Sequence, residues 1–420
     1  MKIVELVNTI TAILFFAGYA YQFVYLAVAV LCRPRHSGEA PPHRFAILIC
    51  ARNEEGVVGQ LIGSIKAQRY PGELLDVFLI ADNCTDRTAA AAREAGATVW
   101  ERHDTARIGK GYALDTLLHR MAEAGYTDYD GYLVFDADNI LAPDFMANIN
   151  RTFSRGFDIV TGYRNSKNFG DNWISAGYGL CFLRDARLLN YPRARLGLSA
   201  VVTGTGFLFS RRILDRQGGG WPYHLLSEDT QFSIDQILAG ERIGMAYDAV
   251  FYDEQPTSLR QSWHQRIRWT RGSLQVLRQY GGRLLRGALR GSFICFDMLM
   301  SVFPVIFLTV ITTLVGGVAA VVEGLLGGGT RALCSVGSTL GMLALTMLFM
   351  GLAVMLCEWR RIHMSPWRKL TAILTFPFYM LTFIPIAIAA LLSRRVTWRH
   401  IAHGAAPSSV PQETDDFIGC

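Results

Sequence analysis

Long apolar runs stand at both ends of the 420-residue chain, and a stretch of mixed polarity separates them. A helix of about 20 apolar residues is long enough to cross the hydrocarbon core of a bilayer. The first run has neither a basic start nor a small-residue cleavage site after it, so we expect a retained anchor and not a signal peptide. The pattern predicts an integral membrane protein with four apolar runs, at 6–31, 293–322, 333–357 and 370–392.

The charge distribution fits a membrane surface better than a nucleic acid. The formal net charge is +6, and the basic residues border the apolar runs, where they would meet lipid headgroups. Arg33, Arg35 and Arg44 follow the first run, and the positive-inside rule then puts the following polar region in the cytoplasm. Basic residues stand both before and after the last run. Either that run is re-entrant or one of its basic flanks faces outward, and both alternatives stay open.

The region between the apolar runs alternates β-type segments with helix-like segments. The β-type segments are short and rich in Val, Ile and Phe, and the stretches between them have helical periodicity. This alternation predicts a Rossmann-like α/β domain, in which helices cover both faces of a parallel sheet. The predicted strands are FAILIC (45–50), VFLIAD (77–82), ATVWER (97–102), GYLVFDAD (131–138) and DIVTGY (158–163).

Carboxylates follow the predicted strands at the edge where such sheets bind ligands. The first strand runs into Arg52 and Glu54, the second ends at Asp82, and the fourth ends at Asp136 and Asp138. No GxGxxG follows the first strand and the chain has no GxxxxGK[ST], so neither a dinucleotide site nor a P-loop is predicted. Carboxylates repel phosphate unless a divalent cation lies between them, and oxygen ligands suit Mg²⁺ or Mn²⁺. A capped, Asp-rich turn is the structural alternative.

A basic amphipathic stretch precedes the second apolar run. Asp297 is the only acid in residues 256–297, while apolar residues recur at close to helical spacing. Such a helix is typical of a membrane interface. The segment HQRIRWTRG (264–272) combines three arginines with Gln265 and Trp269. A membrane anchor accounts for the arginines and the apolar face, but it does not account for this combination.

Five short motifs, in this order along the chain, resemble those of the membrane-integrated family 2 glycosyltransferases, such as cellulose, hyaluronan, chitin-oligosaccharide and poly-N-acetylglucosamine synthases. The stretches QRYP (68–71), GKGYAL (109–114) and VTWRHIAH (396–403) are also similar to that family. The resemblance implies a GT-A-type nucleotide-sugar domain joined to transmembrane helices. The five motifs are ARNEE (51–55), ADNCTD (81–86), FDADN (135–139), SED (227–229) and QRIRW (265–269).

The resemblance implies a donor site for a UDP-sugar. Asp82 would contact the uridine, with Arg52 and Glu54 beside the base. Asp136 and Asp138 would hold Mg²⁺ or Mn²⁺ on the diphosphate, Asp138 the more directly. A cation at this place neutralises the leaving group, which displacement at the anomeric carbon requires.

The resemblance also implies which residues act on the acceptor. Asp229 would take the proton from the attacking hydroxyl, in a single inverting displacement. Glu228 would support the site, and Lys110 would reach the nucleotide or a phosphate. Ser227 stands where the family more often has Thr, so a hydroxyl is retained. The segment TGTGF (203–207) would line the acceptor pocket through Gly204, Thr205 and Gly206.

The resemblance also implies that the QRIRW motif takes part in the reaction. Arg268, with Arg266 or Arg271 as further candidates, would clamp the diphosphate with forked hydrogen bonds. Trp269 would offer a flat ring to an acceptor sugar, and Gln265 would contact substrate beside it. The other arginines of this helix would bind lipid headgroups.

The predicted organisation has five parts. They are an N-terminal anchor (1–35), a cytoplasmic glycosyltransferase domain (36–255), amphipathic interfacial helices (256–292), about three C-terminal transmembrane helices (293–393) and a tail (394–420). We expect the protein in the plasma membrane of a bacterium.

Two functions are compatible with these features. The leading hypothesis is a processive, metal-dependent synthase that elongates a β-linked polysaccharide and passes it through the membrane. The alternative is transfer of a single sugar to a lipid, as in ceramide glucosyltransferase-like enzymes. The expected partners are a UDP-sugar, a growing glycan or a lipid acceptor, and membrane lipids, but no nucleic acid. About four spans are few for a closed channel, so polymer export would need a homo-oligomer or an export partner.

Overall fold

The computed structural model describes residues 2–32, 38–303, 306–326 and 330–393. The motif VTWRHIAH and the tail lie outside the described residues. The described residues fall into two compact units. We call them the sheet unit (38–169 and 197–255) and the helical unit (2–32, 170–196 and 256–393).

A sheet of eight strands forms the centre of the sheet unit in the described part of the chain. The strands are β1 (Phe45–Ala51), β2 (Leu75–Asp82), β3 (Thr98–Arg102), β4 (Gly131–Asp136), β5 (Ile140–Leu141), β6 (Ile159–Ser166), β7 (Phe207–Ser210) and β8 (Ile243–Asp253). Their order in space is β3-β2-β1-β4-β7-β6-β8-β5. Strands β1 to β4, β6 and β8 run in one direction, whereas β5 and β7 are antiparallel to their neighbours. The predicted α/β class is confirmed, and the two antiparallel strands are an addition to it.

Helices bury the sheet, and this explains why its strands read as continuous apolar runs. The side chains of Ile47 and Leu48 point to opposite faces of β1, and both are fully buried because both faces are covered. Gly96 and Gly125 follow the helices Thr88–Glu94 and Lys110–Glu123 with positive φ, a conformation that favours glycine. The helices of this unit are α3 (Val58–Lys66), α4 (Thr88–Glu94), α5 (Lys110–Glu123), α6 (Phe145–Phe153), α9 (Arg211–Arg216) and α10 (Glu228–Leu238).

The helical unit contains the apolar runs. Its helices are α1 (Lys2–Tyr19), α2 (Gln22–Leu31), α7 (Trp173–Leu183), α8 (Tyr191–Arg195), α11 (Leu259–Leu289), α12 (Phe293–Val302), α13 (Ile306–Leu325), α14 (Arg331–Cys357), α15 (Pro366–Leu381) and α16 (Phe383–Leu392). Within the described residues, three segments have the length and composition to cross a bilayer: Phe307–Leu325, Val336–Cys357 and Pro366–Leu392. The pair Leu6–Tyr19 and Gln22–Leu31, bent by 43°, would make a fourth if it is one broken span.

Three of the predicted apolar runs are not single helices, although one of them, 370–392, is divided only at Thr382 and still makes one candidate span. The first bends between α1 and α2. The run 293–322 is divided into α12 and α13, and the span begins only at Phe307. Phe303 closes α12 in an extended conformation, with ψ of 116°. It precedes Pro304, and the proline ring disfavours the helical conformation in the residue before it.

The segment Gly170–Leu196 packs with the helical unit, although the expected domain 36–255 includes it. Its first helix, α7, is apolar on all sides and almost entirely buried. Gly177 lets α15 come very close, because a Cβ at this position would lie 2.3 Å from the ring of Tyr379. Because α7 packs closely against α15, this segment belongs to the helical unit and not to the sheet unit.

One buried carboxylate joins three helices of the helical unit. Asp297 of α12 is 1% exposed and accepts hydrogen bonds from Arg193 Nε at 2.7 Å and Nη2 at 2.8 Å. It also accepts from the hydroxyls of Tyr21 at 2.8 Å and Tyr25 at 2.9 Å. A carboxylate has about four lone-pair sites, and all of them are filled. The network fixes α12 to α8 and to the start of α2.

Asp297→Ala should strongly destabilise the protein, because it leaves the Arg193 guanidinium buried without its counter-charge. We expect a loss of about 3–5 kcal/mol, measured by thermal unfolding in detergent. Asp185→Ala is the control, because its ion pair with Arg184 is about 30% exposed and should contribute at most about 1 kcal/mol. Equal, small effects of the two substitutions would contradict the structural role of Asp297.

Candidate active site

The carboxyl ends of the parallel strands meet at one edge of the sheet unit. There β2 ends at Asp82, β3 at Arg102, β4 at Asp136 and β8 at Asp253. In sheets of this class, ligands bind just beyond these strand ends. The candidate active site is therefore this edge, and two of the four side chains, Asp82 and Asp136, are among those predicted from the sequence.

The loops that follow β1 and β2 are joined by hydrogen bonds. Asn53 and Asn83 have φ of 58° and 53°, a left-handed conformation that asparagine tolerates better than most residues. Asn53 Oδ1 accepts from the Thr85 N–H at 2.8 Å. The Glu54 N–H donates to Thr88 Oγ1 at 2.7 Å. The motifs ARNEE and ADNCTD consequently form one continuous surface.

Asp82 is held from one side by two donors. Its Oδ1 accepts from Arg102 Nη1 at 2.6 Å and from Asn83 Nδ2 at 2.9 Å. Burial raises the pKa of Asp82, and the charges of Arg102 and Arg52 oppose this shift. Arg102 is not among the residues predicted from the sequence, although its position at the end of the third predicted strand was an available signal.

Lys110 connects two of the other predicted residues. It is the first residue of α5, and its Nζ donates to Asp136 Oδ1 at 2.5 Å and to the Gly204 carbonyl at 2.7 Å. Burial alone would lower the pKa of Lys110, but the carboxylates of Asp136 and Glu228 raise it. The ammonium group therefore remains charged beside the strand end.

Asp138 lies among other carboxylates and is 8% exposed. Its Oδ2 accepts from the Glu254 N–H at 3.1 Å, and its Oδ1 accepts from Asn139 Nδ2 at 3.2 Å. Burial, together with the charges of Asp138, Asp136 and Glu254, raises the pKa of Glu54 to about 9. A carboxyl group with this pKa keeps its proton at neutral pH. This part of the edge is therefore suited to a cation.

Asp136 and Asp138 fit a divalent ion that takes its other ligands from a diphosphate. In the part of the chain that the structure describes, no three His, Cys, Asp or Glu side chains are grouped to hold a metal by themselves. Mg²⁺ commonly uses one or two carboxylates and completes its shell with water and substrate phosphate. The repulsion that raises the pKa of Glu54 is also what a bound cation would relieve.

Asp229 lies close to the groups around Lys110. It is in the first turn of α10, and a Cβ at Gly204 would lie 3.5 Å from its Oδ2. Gly204 has φ of 84°, so a side chain would also be strained there. Glu228 affects the same group of residues, because its negative charge contributes to the raised pKa of Lys110. Asp229, Gly204, Lys110 and Asp136 thus surround one small region.

The other two residues expected in the acceptor pocket, Thr205 and Gly206, have contacts within the protein. Thr205 is fully buried; its hydroxyl accepts from the Asp136 N–H at 2.9 Å and donates to Asn139 Oδ1. Gly206 is required by packing, since a Cβ there would lie 2.2 Å from Phe251. The Thr205 hydroxyl stabilises the strand end behind the site, and the missing side chain of Gly206 leaves room for the Phe251 ring. Of the three, only Gly204 faces a predicted catalytic residue.

Several charged residues of this edge were not predicted. Arg164 near the end of β6 donates to Asp253 at the end of β8, with Nε to Oδ2 at 2.7 Å. Lys167 follows β6, and burial lowers its pKa against the opposing charge of Asp138. Neither belongs to a short motif. Only the pairing of β6 with β8, which are distant in sequence, brings them to this edge.

Gln265, Arg268 and Trp269 belong to α11 of the helical unit and are partly buried. The Trp269 ring makes edge-to-face contacts with Tyr178 at 5.5 Å and Phe182 at 5.9 Å between ring centroids. These contacts with α7 fix the orientation of the indole. The structure therefore places the QRIRW motif in the unit that carries the apolar helices.

The expectation that Arg266 clamps a diphosphate is wrong. Arg266 is 0% exposed, and its guanidinium carbon lies 4.6 Å from the Tyr379 ring and 4.7 Å from the Phe383 ring. Its Nη1 donates to Thr382 Oγ1 at 2.6 Å. Arg271 donates to a backbone carbonyl at the end of α16 at 3.2 Å. These arginines attach α11 to α15 and α16.

The sequence profile of the family described as "Glycosyltransferase like family 2" matches residues 41–272, which is more than half of the chain. The chain therefore belongs to the family 2 glycosyltransferases. The sheet unit, with its strand-end carboxylates, is the GT-A domain of that family.

The relatives give a more particular comparison. Beta-monoglucosyldiacylglycerol synthases of Synechocystis sp. and Nostoc sp. are 28% and 29% identical to this chain, over 59% and 64% of its length and 52% and 58% of theirs. The chain thus spans little more than half of these curated relatives. A mannosyltransferase from Pyrobaculum calidifontis, solved with GDP-mannose and Mn²⁺, covers 93% of this chain and 100% of its own, with 18% identity and a TM-score of 0.55. The similarity to the mannosyltransferase shows only that the two chains share a fold.

The raised pKa of Glu54 predicts a pH-dependent stability. The folded protein keeps the Glu54 proton up to about pH 9, whereas the unfolded chain loses it near the ordinary value of 4.5. In chelator, the free energy of unfolding should therefore fall as pH rises through this window. Glu54→Gln should flatten the decrease, and Glu55→Gln, a change at its exposed neighbour, should not. Thermal unfolding across the window tests this, and an unchanged slope for Glu54→Gln would contradict it.

Proposed function

We propose that this family 2 glycosyltransferase transfers a single hexose from a UDP-sugar to a lipid acceptor at the membrane surface. The support is twofold. Two relatives that match about 60% of the chain are named for a glucosyl lipid product. The described residues contain three candidate spans, or four with the bent pair, which are few for a polymer channel. We therefore rank a lipid acceptor above the polysaccharide expected from the motifs.

Processive elongation of a β-linked polysaccharide is the second candidate. The segment QRIRW is compatible with it, because it resembles a motif of polysaccharide synthases. Export of the polymer would need a homo-oligomer or an export partner.

In this proposal the base of the donor binds where β1 and β2 end. Asp82 contacts the uracil, with Arg52 and Glu54 beside it. The hydrogen bonds that join the two loops would hold these residues in place before the donor arrives. Such preorganisation reduces the conformational entropy that binding would otherwise cost.

The diphosphate binds at the end of β4. Asp136 and Asp138 hold Mg²⁺ or Mn²⁺, which when bound supplies positive charge to the leaving group. Lys110 Nζ, which lies 2.5 Å from Asp136, provides a second positive charge for a phosphate oxygen. The oxygen between the anomeric carbon and the phosphate can then depart with the bonding electrons, as part of UDP.

Asp229 is the proposed general base. The acceptor hydroxyl oxygen forms the new bond to the anomeric carbon, the bond to the diphosphate breaks, and the hydroxyl proton passes to Asp229. The configuration at the anomeric carbon inverts. Glu228 supports the site through its charge on Lys110. The observation that carries this proposal is the grouping of Asp136, Lys110 and Asp229 around Gly204.

The helical unit is proposed to bind the acceptor and the lipid. Trp269 offers its ring to the acceptor, Gln265 contacts substrate beside it, and Arg268 acts on the diphosphate. The exposed arginines in the second half of α11 and directly after it would bind lipid headgroups; they are Arg278, Arg283, Arg286 and Arg290. We also propose that the sheet unit is cytoplasmic, from the basic residues after the first apolar run.

Asp229→Asn should separate catalysis from binding. The amide keeps the shape of the side chain but cannot take the proton, so sugar transfer should fall by a factor on the order of 10²–10⁴. The affinity for UDP should stay nearly unchanged. Radiolabelled sugar transfer and calorimetric UDP binding measure the two quantities. Asp128→Asn, at a fully exposed side chain, is the control. Near-normal turnover of Asp229→Asn would show that another residue is the general base.

The product distinguishes the two acceptor classes. Purified protein in vesicles with Mn²⁺, a radiolabelled UDP-sugar and diacylglycerol should yield label that extracts into organic solvent as a lipid carrying one sugar. The yield should rise with the diacylglycerol content. Each common UDP-hexose is tested in turn. Water-soluble or ethanol-insoluble label of high mass, formed equally well without diacylglycerol, would contradict the lipid acceptor and support the polysaccharide.

A further inference from the structure

We propose that the fixed orientation of Asp82 makes the donor site select uracil over guanine, and that Arg102 determines this specificity through its hydrogen bond to Asp82. The inference rests on the proposed function, in which Asp82 meets the base of the donor. Asp82 would then be the physical reason for the preference for uracil, and Arg102 the residue that determines it.

One oxygen of Asp82 is fully used by the protein. An ionised carboxylate accepts about two hydrogen bonds on each oxygen. The two places on Oδ1 are taken by Arg102 Nη1 at 2.6 Å and Asn83 Nδ2 at 2.9 Å. A ligand cannot replace either donor without leaving a buried charge or amide unsatisfied.

The two donors are themselves held in place. Arg102 Nη2 donates to Asp104 Oδ2 at 3.1 Å and to the Arg107 carbonyl at 2.6 Å. The Asn83 side chain donates to the Asp104 carbonyl at 3.1 Å and accepts from the Asp104 N–H at 3.0 Å. Because each donor has a second anchor, the carboxylate cannot rotate while keeping its bonds.

The other oxygen is left for a ligand. Asp82 Oδ2 has no hydrogen-bond partner among the residues that the structure describes, and it is not one of the fully enclosed polar atoms. The side chain as a whole is only 9% exposed. A ligand at this strand end therefore meets one open acceptor atom in a site largely closed to water.

One open acceptor matches uracil. Uracil presents a single N–H, at N3, between two carbonyl oxygens. Guanine presents N1–H and the N2 amino group side by side, a pair that needs both oxygens of a carboxylate. With Oδ1 occupied, one guanine donor would remain unpaired in a desolvated place, which is costly. Cytosine has a lone pair at N3, where uracil has its N–H, and this lone pair faces the carboxylate unfavourably.

The test compares binding of UDP, GDP and CDP to the purified full chain with Mn²⁺, by calorimetry. The native protein should bind UDP at least about tenfold more tightly than GDP or CDP, as expected for one unpaired polar group. Arg102→Leu frees a lone pair on Oδ1, so the preference for UDP over GDP should shrink by about the same factor. Arg93→Leu, at an exposed residue of α4 paired with Glu101, should leave the ratio unchanged.

A second variant keeps the shape of the site. In Asp82→Asn the amide oxygen should face the two donors, so the NH₂ group takes the open position. An N–H donor there suits the N3 lone pair of cytosine and opposes the N3–H of uracil. The ratio of UDP to CDP affinity should therefore fall by about tenfold or more. A role in folding alone would weaken all three nucleotides by the same factor.

The outcomes separate this inference from the proposed function. Equal affinity for UDP and GDP in the native protein, or equal weakening of all three nucleotides in Asp82→Asn, overturns the selection by Asp82 and leaves glycosyl transfer standing. If the folded Arg102→Leu variant keeps the native ratio of UDP to GDP affinity, Arg102 does not determine the specificity. Binding of none of the three nucleotides overturns the proposed function and this inference with it.

Discussion

Negative charge gathered at one edge of a sheet is the constraint on which the rest of the sheet unit depends. Parallel strands bring their carboxyl ends together, and in this chain three of those ends are aspartates. Each is balanced by a cation from another part of the chain, in the pairs Asp82–Arg102, Asp136–Lys110 and Asp253–Arg164. The balance is incomplete around Asp138, where Glu54 keeps its proton up to about pH 9. This imbalance is the physical reason for proposing a cation, and through it a diphosphate, at this edge.

The backbone around Gly204 brings the predicted chemical groups together. Its positive φ turns the chain so that its carbonyl accepts from Lys110 while its Cα faces Asp229. Asp229, the proposed general base, and Lys110, the proposed phosphate-binding cation, therefore need no long-range movement to act on one substrate. Two contacts stabilise this turn: the Thr205 hydroxyl accepts from the Asp136 N–H, and Phe251 packs against Gly206. Thr205 and Gly206, which the sequence predicts to line an acceptor pocket, therefore also shape this turn.

Buried charge has a structural use in the helical unit. Asp297 and Arg193 satisfy each other with the help of two tyrosines, and they join α2, α8 and α12. Arg266 packs against the rings of Tyr379 and Phe383 and donates to Thr382, where α15 meets α16. Polar groups in apolar surroundings are stable only when their hydrogen bonds are satisfied. These contacts therefore fix which face of α11 points toward its neighbours and how Trp269 is held.

The sequence by itself determined what depends on local pattern. The α/β class followed from strand–helix alternation, and Asp82 and Asp136 followed from their position at the end of apolar strands, because both signals lie within a few residues. Only the tertiary structure decided what depends on pairing between distant segments. The antiparallel strand β7 and the partners Arg102 and Arg164 reach the site through contacts of high sequence separation, which no short motif encodes. In α11, Arg266 and Arg268 are two residues apart, and only packing against α15 and α16 buries the first. Periodicity defines the faces of a helix, but its neighbours decide which face is buried.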